Sequence, residues 1–582
     1  MLCRFIATMK NIGNLKIFVL ICSICLGASV FGQSGLNNGM EYRFPLEITP
    51  SLSGNYGELR ASHFHTGIDF RIGGAPGARL YAVERGYISR ITVSPTGYGR
   101  ALYITHPDGL TTIYGHMHLF STKIEEYVRR EQYKQESFSV NLYPDSTVFR
   151  VKRGDYIGQA GNSGSSVAPH LHFEVRNTDG QNTLNPFSAL NLEIKDNIAP
   201  VFESVNFYSI SNVESIPLRS RIASYPREEV GVVEVTDTFY IAVAATDRQN
   251  GTTGKLAIHR YRYFLDDEQI FSLTSDLIPS GMGRYVNSVI EYPERQRQGR
   301  NFMVKSWVEP ACGLMSNIKA KSNGLFILED DRIHKVKIEL WDEHNNMAER
   351  TFNVKRRIAA AENSGSSVAV SDHRLGKDIV MPWFLSNEGR ESDFSYSLAP
   401  GSLYSSVIMN LRRDTVGNYA GWRLHNDDTP LHRPIIISIK ADIPESQREK
   451  SLIAIVGNSG RLSSLGGKWN GGWIEASSSS FGLYTVVLDT IAPRIVSPFK
   501  EGESLKGSRI IRIRISDNLS GIADYRVYID DKWILAEYDA KNGRLLVSLD
   551  ERVISRDKRH SISVEVTDGR GNINRLKSSF IW

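Results

Sequence analysis

Cysteine is scarce in this sequence. Only four of its 582 residues are cysteine, and three of these, Cys3, Cys22 and Cys25, lie within the first 32 residues. If that leading segment is removed during export, Cys312 remains alone and no intramolecular disulfide can form. The folded chain must therefore be stabilised by apolar cores or by bound metal.

The sequence also lacks a large excess of charge of either sign. It has 69 basic and 64 acidic residues, for a formal net charge of +5. Removing residues 1–32 takes away Arg4, Lys10 and Lys16 and no acid, so 66 basic residues remain against 64 acidic ones. This balance argues against a nucleic-acid-binding protein, whose affinity depends on an excess of Lys and Arg.

The apolar run near the start is too short to cross a membrane. Lys10 and Lys16 precede an apolar stretch from Ile17 to Gly32, which is shorter than the ~20 residues that a spanning helix needs. Residues with short side chains precede Gln33, where signal peptidase would cut the chain. We therefore predict that residues 1–32 are a signal peptide and that no membrane span remains after cleavage. The protein should be periplasmic or associated with the cell envelope, with secretion as the alternative.

Helical periodicity is rare as well. In the first 195 residues only the stretch from Thr122 to Gln135 has it, with Ile124, Tyr127, Val128 and Tyr133 on one side. Elsewhere β-rich stretches alternate with charged Gly turns. The sequence therefore predicts a mainly β protein.

Two recurring features divide the chain into domains. The phrase Asp-x-Ile-Ala-Pro occurs at 196–200 and again at 489–493, each time before a strand-like run, and Pro is compatible with such a strand start. An Ala/Ser-rich stretch at 359–372 is typical of a linker. The later segments alternate strands with Asp/Asn/Gly turns, which favours β-sandwiches. The predicted domains are 33–195, 196–358, 373–488 and, with an immunoglobulin-like fold, 489–582.

The later domains show no strong catalytic pattern. Asp517-Asn518 and Asp568-Gly569 could bind calcium, but Asp and Asn favour turns in any case, and we interpret them as turns. Cys312 has no neighbouring His or Asp pattern and is interpreted as a small buried hydrophobe. These domains could serve for spacing, for attachment or for contact with partner proteins.

Histidine is concentrated near the N-terminus. Half of the 14 histidines lie between positions 63 and 172. In the segment 170–176, strand alternation places His170, His172 and Glu174 on one face and Leu171 and Phe173 on the other. This spacing suits one imidazole on a metal ion and the other beside it, although a solvated strand face would look the same.

A second segment, His65-Thr66-Gly67-Ile68-Asp69, could supply further metal ligands. A straight strand would separate His65 and Asp69 by roughly 13 Å, which is too far for one ion with ligand bonds of about 2 Å. We therefore expect a bend at Gly67, which tolerates backbone angles that its β-branched neighbours resist. With His172, these residues would make a two-histidine, one-carboxylate set that leaves a fourth position open, as in catalytic zinc sites.

A third segment carries two further histidines. Alternation through Tyr114-Gly115-His116-Met117-His118 predicts Tyr114, His116 and His118 on one face. His116 could stabilise a transition-state oxyanion or could be a hydrogen-bonded strand histidine. For His118 we favour the second interpretation.

These three segments resemble the H-x-G-x-D, Y-x-H and H-x-H signatures of the lysostaphin/LytM-type zinc metallopeptidases, in the family's order. The resemblance covers roughly residues 45–190. It implies a small antiparallel β domain with a groove, one zinc ion on His65, Asp69 and His172, and catalytic roles for His116 and His170. It also implies cleavage of peptide cross-links or stem peptides in peptidoglycan. The segment 120–147 is longer than the compact family core.

The ligand set implies a mechanism. Because no H-E-x-x-H motif supplies a glutamate base, we hypothesise that His170 takes a proton from water and passes it to the leaving amine. His116 would then stabilise the oxyanion, although the two roles could be exchanged. The alternative function is a non-catalytic scaffold or activator of other cell-wall hydrolases. Such a protein should lack at least one of the five site residues, and this chain keeps all five.

Overall fold

The computed structural model describes residues 40–177, 179–180, 182–213, 216–225, 231–299, 302–357 and 377–582. The predicted signal peptide and the predicted linker at 359–372 lie outside the described residues. Within these ranges no helix is both long and apolar enough to cross a membrane. Strands dominate every part of the described chain, which confirms the mainly β prediction.

The N-terminal region consists of short strands with one helix of several turns. The elements are β1 (Leu52–Gly54), β2 (Ile68–Arg71), β3 (Arg79–Tyr81), β4 (Gly86–Val93), β5 (Ala101–Thr105), β6 (Leu110–Gly115), β7 (Met117–Phe120), α1 (Thr122–Gln135), β8 (Val140–Leu142), β9 (Arg150–Val151), β10 (Tyr156–Ala160), β11 (His170–Asn177), β12 (Asn182–Leu184) and α2 (Pro186–Leu190).

An antiparallel sheet forms the base of this region. Its strand order is β1-β2-β11-β6-β5-β4-β8, so β11 is hydrogen-bonded to β2 on one side and to β6 on the other. Leu171, Phe173 and Val175 of β11 are fully buried on one face, where Phe173 packs against Tyr114 with ring centroids 5.3 Å apart. The apolar face of β11 thereby fixes which way its histidines point.

The predicted helix is present with the predicted bounds. Ile124 and Val128 are buried on its inner side. Tyr133 instead packs edge-on against Trp533 of the C-terminal domain, with ring centroids 5.2 Å apart, and Arg129 pairs with Asp550 at 3.2 Å. The extra length of the segment 120–147 therefore carries a helix that contacts the end of the chain.

The segment after residue 196 forms two facing sheets. The elements are β13 (Val201–Val213), β14 (Ile216–Tyr225), β15 (Val232–Val235), β16 (Thr238–Thr246), β17 (Arg260–Leu265), β18 (Glu268–Thr274), β19 (Leu277–Pro279), α3 (Val286–Val289), α4 (Tyr292–Gln298), β20 (Met303–Lys305), β21 (Ile318–Ala320), β22 (Phe326–Ile327), β23 (His334–Trp341) and β24 (Met347–Arg356). The strand orders of the two sheets are β14-β13-β16-β20 and β15-β24-β23-β17-β18-β21. Phe207 of the first sheet packs against Phe352 of the second, with ring centroids 5.2 Å apart.

One strand of this segment joins the N-terminal sheet. β19 pairs with β12 in antiparallel register, with Thr183 opposite Ile278. The Tyr56 hydroxyl adds a bond to the Thr183 carbonyl at 2.7 Å. The N-terminal sheet is therefore continuous across the predicted boundary at residue 196.

The segment 377–488 also has two sheets around one core. Phe394 and Met409 belong to the same buried cluster. The strands are β25 (Lys377–Met381), β26 (Asn387–Glu391), β27 (Phe394–Leu398), β28 (Val407–Val416), β29 (Tyr419–Leu424), β30 (Pro430–Lys440), β31 (Ser451–Val456), β32 (Leu462–Gly466), β33 (Lys468–Asn470), β34 (Trp473–Ser480) and β35 (Gly482–Leu488).

The last segment repeats this arrangement. Ile511, Ile513 and Ile515 of β38 are buried while the arginines between them are exposed, as alternation requires, and they share a core with Val564 of β43. The strands are β36 (Arg494–Val496), β37 (Glu503–Ser504), β38 (Ile510–Ser516), β39 (Ile522–Ile529), β40 (Lys532–Trp533), β41 (Ala536–Asp539), β42 (Arg544–Ser548), β43 (Arg559–Asp568) and β44 (Ile573–Ile581).

Candidate metal centre

The register of β11 brings two of the predicted ligands together. His172 lies directly opposite Asp69 of β2 and, on its other side, opposite Gly115 of β6. Residues that face each other in an antiparallel pair project to the same side of the sheet. The imidazole of His172 and the carboxylate of Asp69 therefore meet on the face opposite the apolar core.

His65 reaches the same point because the chain bends before β2. Its Nε2 lies 3.1 Å from Asp69 Oδ1, so the bend expected between these residues is present. The expected reason for Gly67 is wrong, because its φ is not in the left-handed region. Space requires the glycine instead: a Cβ there would lie 2.6 Å from the Phe173 carbonyl oxygen and 3.0 Å from His172 Cε1.

Three donor atoms form a compact triangle. Besides the His65–Asp69 contact, His172 Nδ1 lies 3.0 Å from His65 Nε2 and 2.9 Å from Asp69 Oδ1. All three residues are at most 5% exposed. Tetrahedral zinc with bonds of about 2.0–2.1 Å separates its ligand atoms by about 3.3 Å, close to these distances.

Hydrogen bonds turn the lone pairs of both histidines toward the triangle. His65 Nδ1 donates to the carbonyl oxygen of Asn55 at 2.8 Å, and His172 Nε2 donates to Glu174 Oε1 at 3.0 Å. Each ring thus directs its other nitrogen inward, as metal-binding histidines do. Three electron-pair donors facing one another need a cation between them, so the residues fit a metal ion. The donor atoms of His65, Asp69 and His172 all lie within 4.8 Å of one another.

Glu174 anchors the layer of side chains behind the ligands. It is fully buried and accepts hydrogen bonds from Thr66, Tyr98, His172 and Arg176. Sequence reasoning placed Glu174 on the histidine face of β11 but gave it no role. The two-residue spacing from His172 was the available signal, since alternation places such a carboxylate beside the ring.

The carboxylates make the centre strongly attractive to positive charge. Although burial raises it, contacts with His65, His170 and His172 hold the pKa of Asp69 well below its usual range. Burial also opposes ionisation of Glu174, but bonds with His172 and Arg176 lower its pKa to about 2. Both groups are therefore anionic at neutral pH. In spite of burial, hydrogen bonds with Asp69 and Glu174 raise the pKa of His172 to about 9, so without a metal ion its inner nitrogen carries a proton, which a metal ion would replace.

His116 and His170 stand beside the triangle. Their ring centroids are 4.8 Å apart, and His170 Nε2 lies 3.4 Å from Asp69 Oδ1. Each ring donates its Nδ1 hydrogen to a backbone carbonyl, that of Ser163 for His116 at 2.9 Å and that of Ala168 for His170 at 2.8 Å. Burial and the rings of His172 and His170 lower the pKa of His116 to about 3, so it is neutral.

The predicted common face of Tyr114, His116 and His118 is wrong. β6 ends at Gly115, β7 begins at Met117, and His116 between them has a φ of 56°, in the left-handed region. This residue breaks the alternation, so Tyr114 enters the apolar core while His116 turns toward the metal ligands. His118 is exposed. Such a backbone conformation in a non-glycine residue is unfavourable and is often found at functional sites.

The C-terminal domain contacts the loop that supports His116. Lys541 donates to the carbonyl oxygens of Asn162 and Ser166, the second at 2.8 Å. Arg100, beside this loop, pairs with Glu537 of the same domain at 3.6 Å. One border of the site is therefore made by residues more than 370 positions away in sequence.

Two parts of the chain match models of known protein families. Residues 63–133 match the model of Peptidase family M23, and residues 378–489 match that of the Zu5-like domain. Over 131 residues the chain is 32% identical to proteins named DD-carboxypeptidase/endopeptidase Mpg from Neisseria meningitidis serogroup B and Neisseria gonorrhoeae. This alignment covers 22% of the chain and 24% of each relative, so the chain spans about a quarter of the length of the curated relatives it matches.

Solved structures were compared as well. The catalytic domain of the prophage-encoded M23 protein EnpA from Enterococcus faecalis is 26% identical to this chain, with a TM-score of 0.18. The aligned region covers 25% of this chain and 94% of the EnpA domain. The catalytic domain of lysostaphin from Staphylococcus simulans is 22% identical, with coverages of 27% and 96% and a TM-score of 0.18. The M23 match and the identity to the curated relatives confirm the resemblance predicted from the motifs for the N-terminal region.

Proposed function

We propose that this chain, which has an M23-type peptidase region at its N-terminal end, is a zinc-dependent endopeptidase. Its substrates would be peptide bonds in peptidoglycan cross-links or stem peptides. One observation carries the proposal: the inward-facing donor atoms of His65, Asp69 and His172 lie 2.9–3.1 Å apart within the region that resembles this family. The curated relatives, which are named as a carboxypeptidase/endopeptidase, support the reaction class.

His65, Asp69 and His172 would hold the zinc ion. When bound, zinc supplies a Lewis acid and lowers the pKa of water to about 7. The protein's own part is to fix the ligands: Asn55 and Glu174 hold the two imidazoles by their outer nitrogens. Asp69 keeps its outer oxygen bonded to Arg60 at 2.8 Å.

We assign proton transfer to His170. Its Nδ1 hydrogen is committed to the Ala168 carbonyl, so its Nε2 has the free electron pair that a general base needs. That nitrogen is also within 3.4 Å of the ligand oxygen of Asp69, at the edge of the donor triangle. It would accept a proton from water and deliver it to the leaving amine.

His116 would stabilise the negative charge that develops on the oxyanion. Its Nδ1 hydrogen is bonded to the Ser163 carbonyl, so its Nε2 would have to take up a proton from bulk water before it could donate to an oxyanion. Burial opposes that proton in the resting site, and a developing oxyanion would favour it. The fixed orientation of the ring, set by its left-handed backbone, would hold the donor in place.

The remaining parts of the proposal concern location and partners. The predicted signal peptide favours export to the periplasm or cell envelope, where peptidoglycan peptides are accessible. The C-terminal domains, including the predicted immunoglobulin-like one, would provide contacts with other cell-envelope proteins. The scaffold alternative has no support from the ligand set, because the five site residues are all present and closely grouped.

Digestion of purified peptidoglycan tests the proposal. The chain without residues 1–32 should release fragments with new amine termini, as seen by mass spectrometry. A chelator should stop this release and added zinc should restore it, and His118→Ala, which changes an exposed histidine, should behave like the wild type. Zinc-loaded protein that releases no new amine termini would leave only the scaffold function.

A further inference from the structure

We propose that the joint between the Zu5-like domain and the last domain binds a calcium ion through Asp489, Asp517 and Asp568. One carboxylate oxygen from each residue lies within 4.8 Å of the others. Asp489 ends the segment that matches the Zu5-like domain, while Asp517 and Asp568 follow β38 and end β43 in the last domain. This site is separate from the proposed zinc centre.

Turn formation explains only part of what these aspartates do. Asp517 Oδ2 accepts the backbone N–H groups of Leu519 and Gly521 at 2.9 and 2.8 Å, as a turn-forming aspartate would. Its Oδ1 is buried and has no hydrogen-bond partner. An asparagine could form the same turn with its single oxygen, so the turn does not account for the second, unpartnered oxygen.

Asp489 gives the second, independent observation. It is 0% exposed, and its Oδ2 accepts from the N–H of Ser520 at 3.0 Å while its Oδ1 has no partner. A fully buried carboxylate oxygen without a donor is unfavourable unless a cation balances it. Among the described residues, no lysine, arginine or histidine forms an ion pair with Asp489, Asp517 or Asp568.

The donor chemistry selects calcium. All three side chains offer carboxylate oxygens, which are the ligands that Ca²⁺ prefers. Ligand bonds of about 2.3–2.6 Å allow oxygens on opposite sides of the ion to stand up to about 5 Å apart, which matches this spacing. Three negative charges without an ion-pair partner among the described residues also favour a divalent cation over water.

A second group of the same kind includes Asp196 of the other Asp-x-Ile-Ala-Pro phrase, which lies close to Asp342 and His344. Asp342 Oδ1 accepts from the N–H groups of His344 and Asn346, and its Oδ2 accepts from the Asn346 amide. Asp568 makes the corresponding three bonds with Arg570 and Asn572. This repetition indicates that the turn is a built feature of the chain rather than an accident of one loop.

A bound ion would stiffen the joint between the two domains. Asn572 already donates its amide to the backbone oxygen of Asp489 at 2.8 Å, and Lys450 donates to the Arg570 carbonyl at 2.9 Å. Bound calcium would likewise connect Asp489 to the last domain. Lys541 of that domain contacts the loop near His116.

Counting bound calcium tests the site. Metal-free full-length chain is resupplied with zinc and dialysed to equilibrium against ⁴⁵Ca²⁺. Asp517→Asn keeps the turn-forming oxygen, so it should fold but bind one calcium fewer per chain than the wild type. The control Asp524→Asn changes an exposed aspartate of the same domain and should leave the count unchanged. Equal counts for the wild type and Asp517→Asn would overturn the proposal.

Thermal unfolding gives a second measurement that does not depend on one variant. Added CaCl₂ should raise the Tm of the zinc-loaded wild type and have a smaller effect on Asp517→Asn and Asp489→Asn. In calcium-free buffer, Asp517→Asn should unfold at the same temperature as the wild type or higher, because it removes one of three like charges. A Tm that does not change when calcium is added, or a rise in Tm of the same size with Mg²⁺, would contradict the calcium assignment.

Discussion

Replacing Glu174 by glutamine is the sharpest test of how the ligands are held. Glu174 is 0% exposed, and its two oxygens accept from four side chains. Oε1 serves Thr66, Tyr98 and His172, while Oε2 serves Arg176. A glutamine has one carbonyl oxygen and one N–H₂ group that cannot accept a hydrogen bond. In one of these two sets, the N–H₂ group would therefore face side chains that are also donors.

The magnitude follows from the position of Glu174 behind His172. Carboxylates bonded to the outer nitrogen of a ligand histidine typically strengthen metal binding by about 10–100-fold, or roughly 1.4–2.7 kcal/mol. Because Arg176 is partly exposed, it can bond to water when it loses Oε2. We therefore expect Glu174→Gln to fold but to bind zinc about 10–100-fold more weakly.

Competition with a chromophoric zinc chelator measures this effect. Glu126→Gln, an exposed change in α1, is the matched control and should keep the wild-type affinity. Circular dichroism would establish that both variants are folded. A folded Glu174→Gln protein with the wild-type zinc affinity would refute the role given to Glu174.

Other contacts give further predictions. Gly67→Ala should weaken zinc binding and destabilise the fold by about 1–3 kcal/mol, because its Cβ would lie 2.6 Å from the Phe173 carbonyl oxygen; Gly507→Ala, with open space around it, should show neither effect in chelator competition or thermal unfolding. Lys541→Ala should lower kcat by up to about tenfold with zinc content unchanged, since it releases the loop that holds His116, and Lys541→Arg should restore most of the rate.

Much of the site could be predicted because it depends on local geometry. Alternation along β11 is a property of any strand, so the common face of His170 and His172 and the buried Leu171 followed directly from sequence. The bend between His65 and Asp69 followed from the reach of metal–ligand bonds. These features need no knowledge of distant residues.

Other features depend on contacts that spacing does not reveal. The need for glycine at position 67 comes from the close approach of β11, about 105 positions away. The left-handed conformation of His116 broke an alternation that the sequence favoured. Lys541 reaches Asn162 across 379 positions, and no local pattern in either segment marks that pairing.

The unpartnered aspartate oxygens show a third kind of limit. Asp517-Asn518 is typical of a turn, and a turn is present there. Only the buried state of Asp489 and the missing donors around Oδ1 distinguish a cation site from a plain turn. Burial and hydrogen-bond partners are properties of the folded chain, so sequence reasoning favoured the simpler interpretation.

Zinc content measured together with activity in four variants tests the central claim most directly. His65→Ala and Asp69→Ala should lose both bound zinc and peptidoglycan hydrolysis, since each removes a donor of the triangle. His116→Ala and His170→Ala should keep about one zinc per chain, by elemental analysis, while losing most turnover. Zinc retained by His65→Ala or Asp69→Ala, or full activity in His170→Ala, would contradict the account.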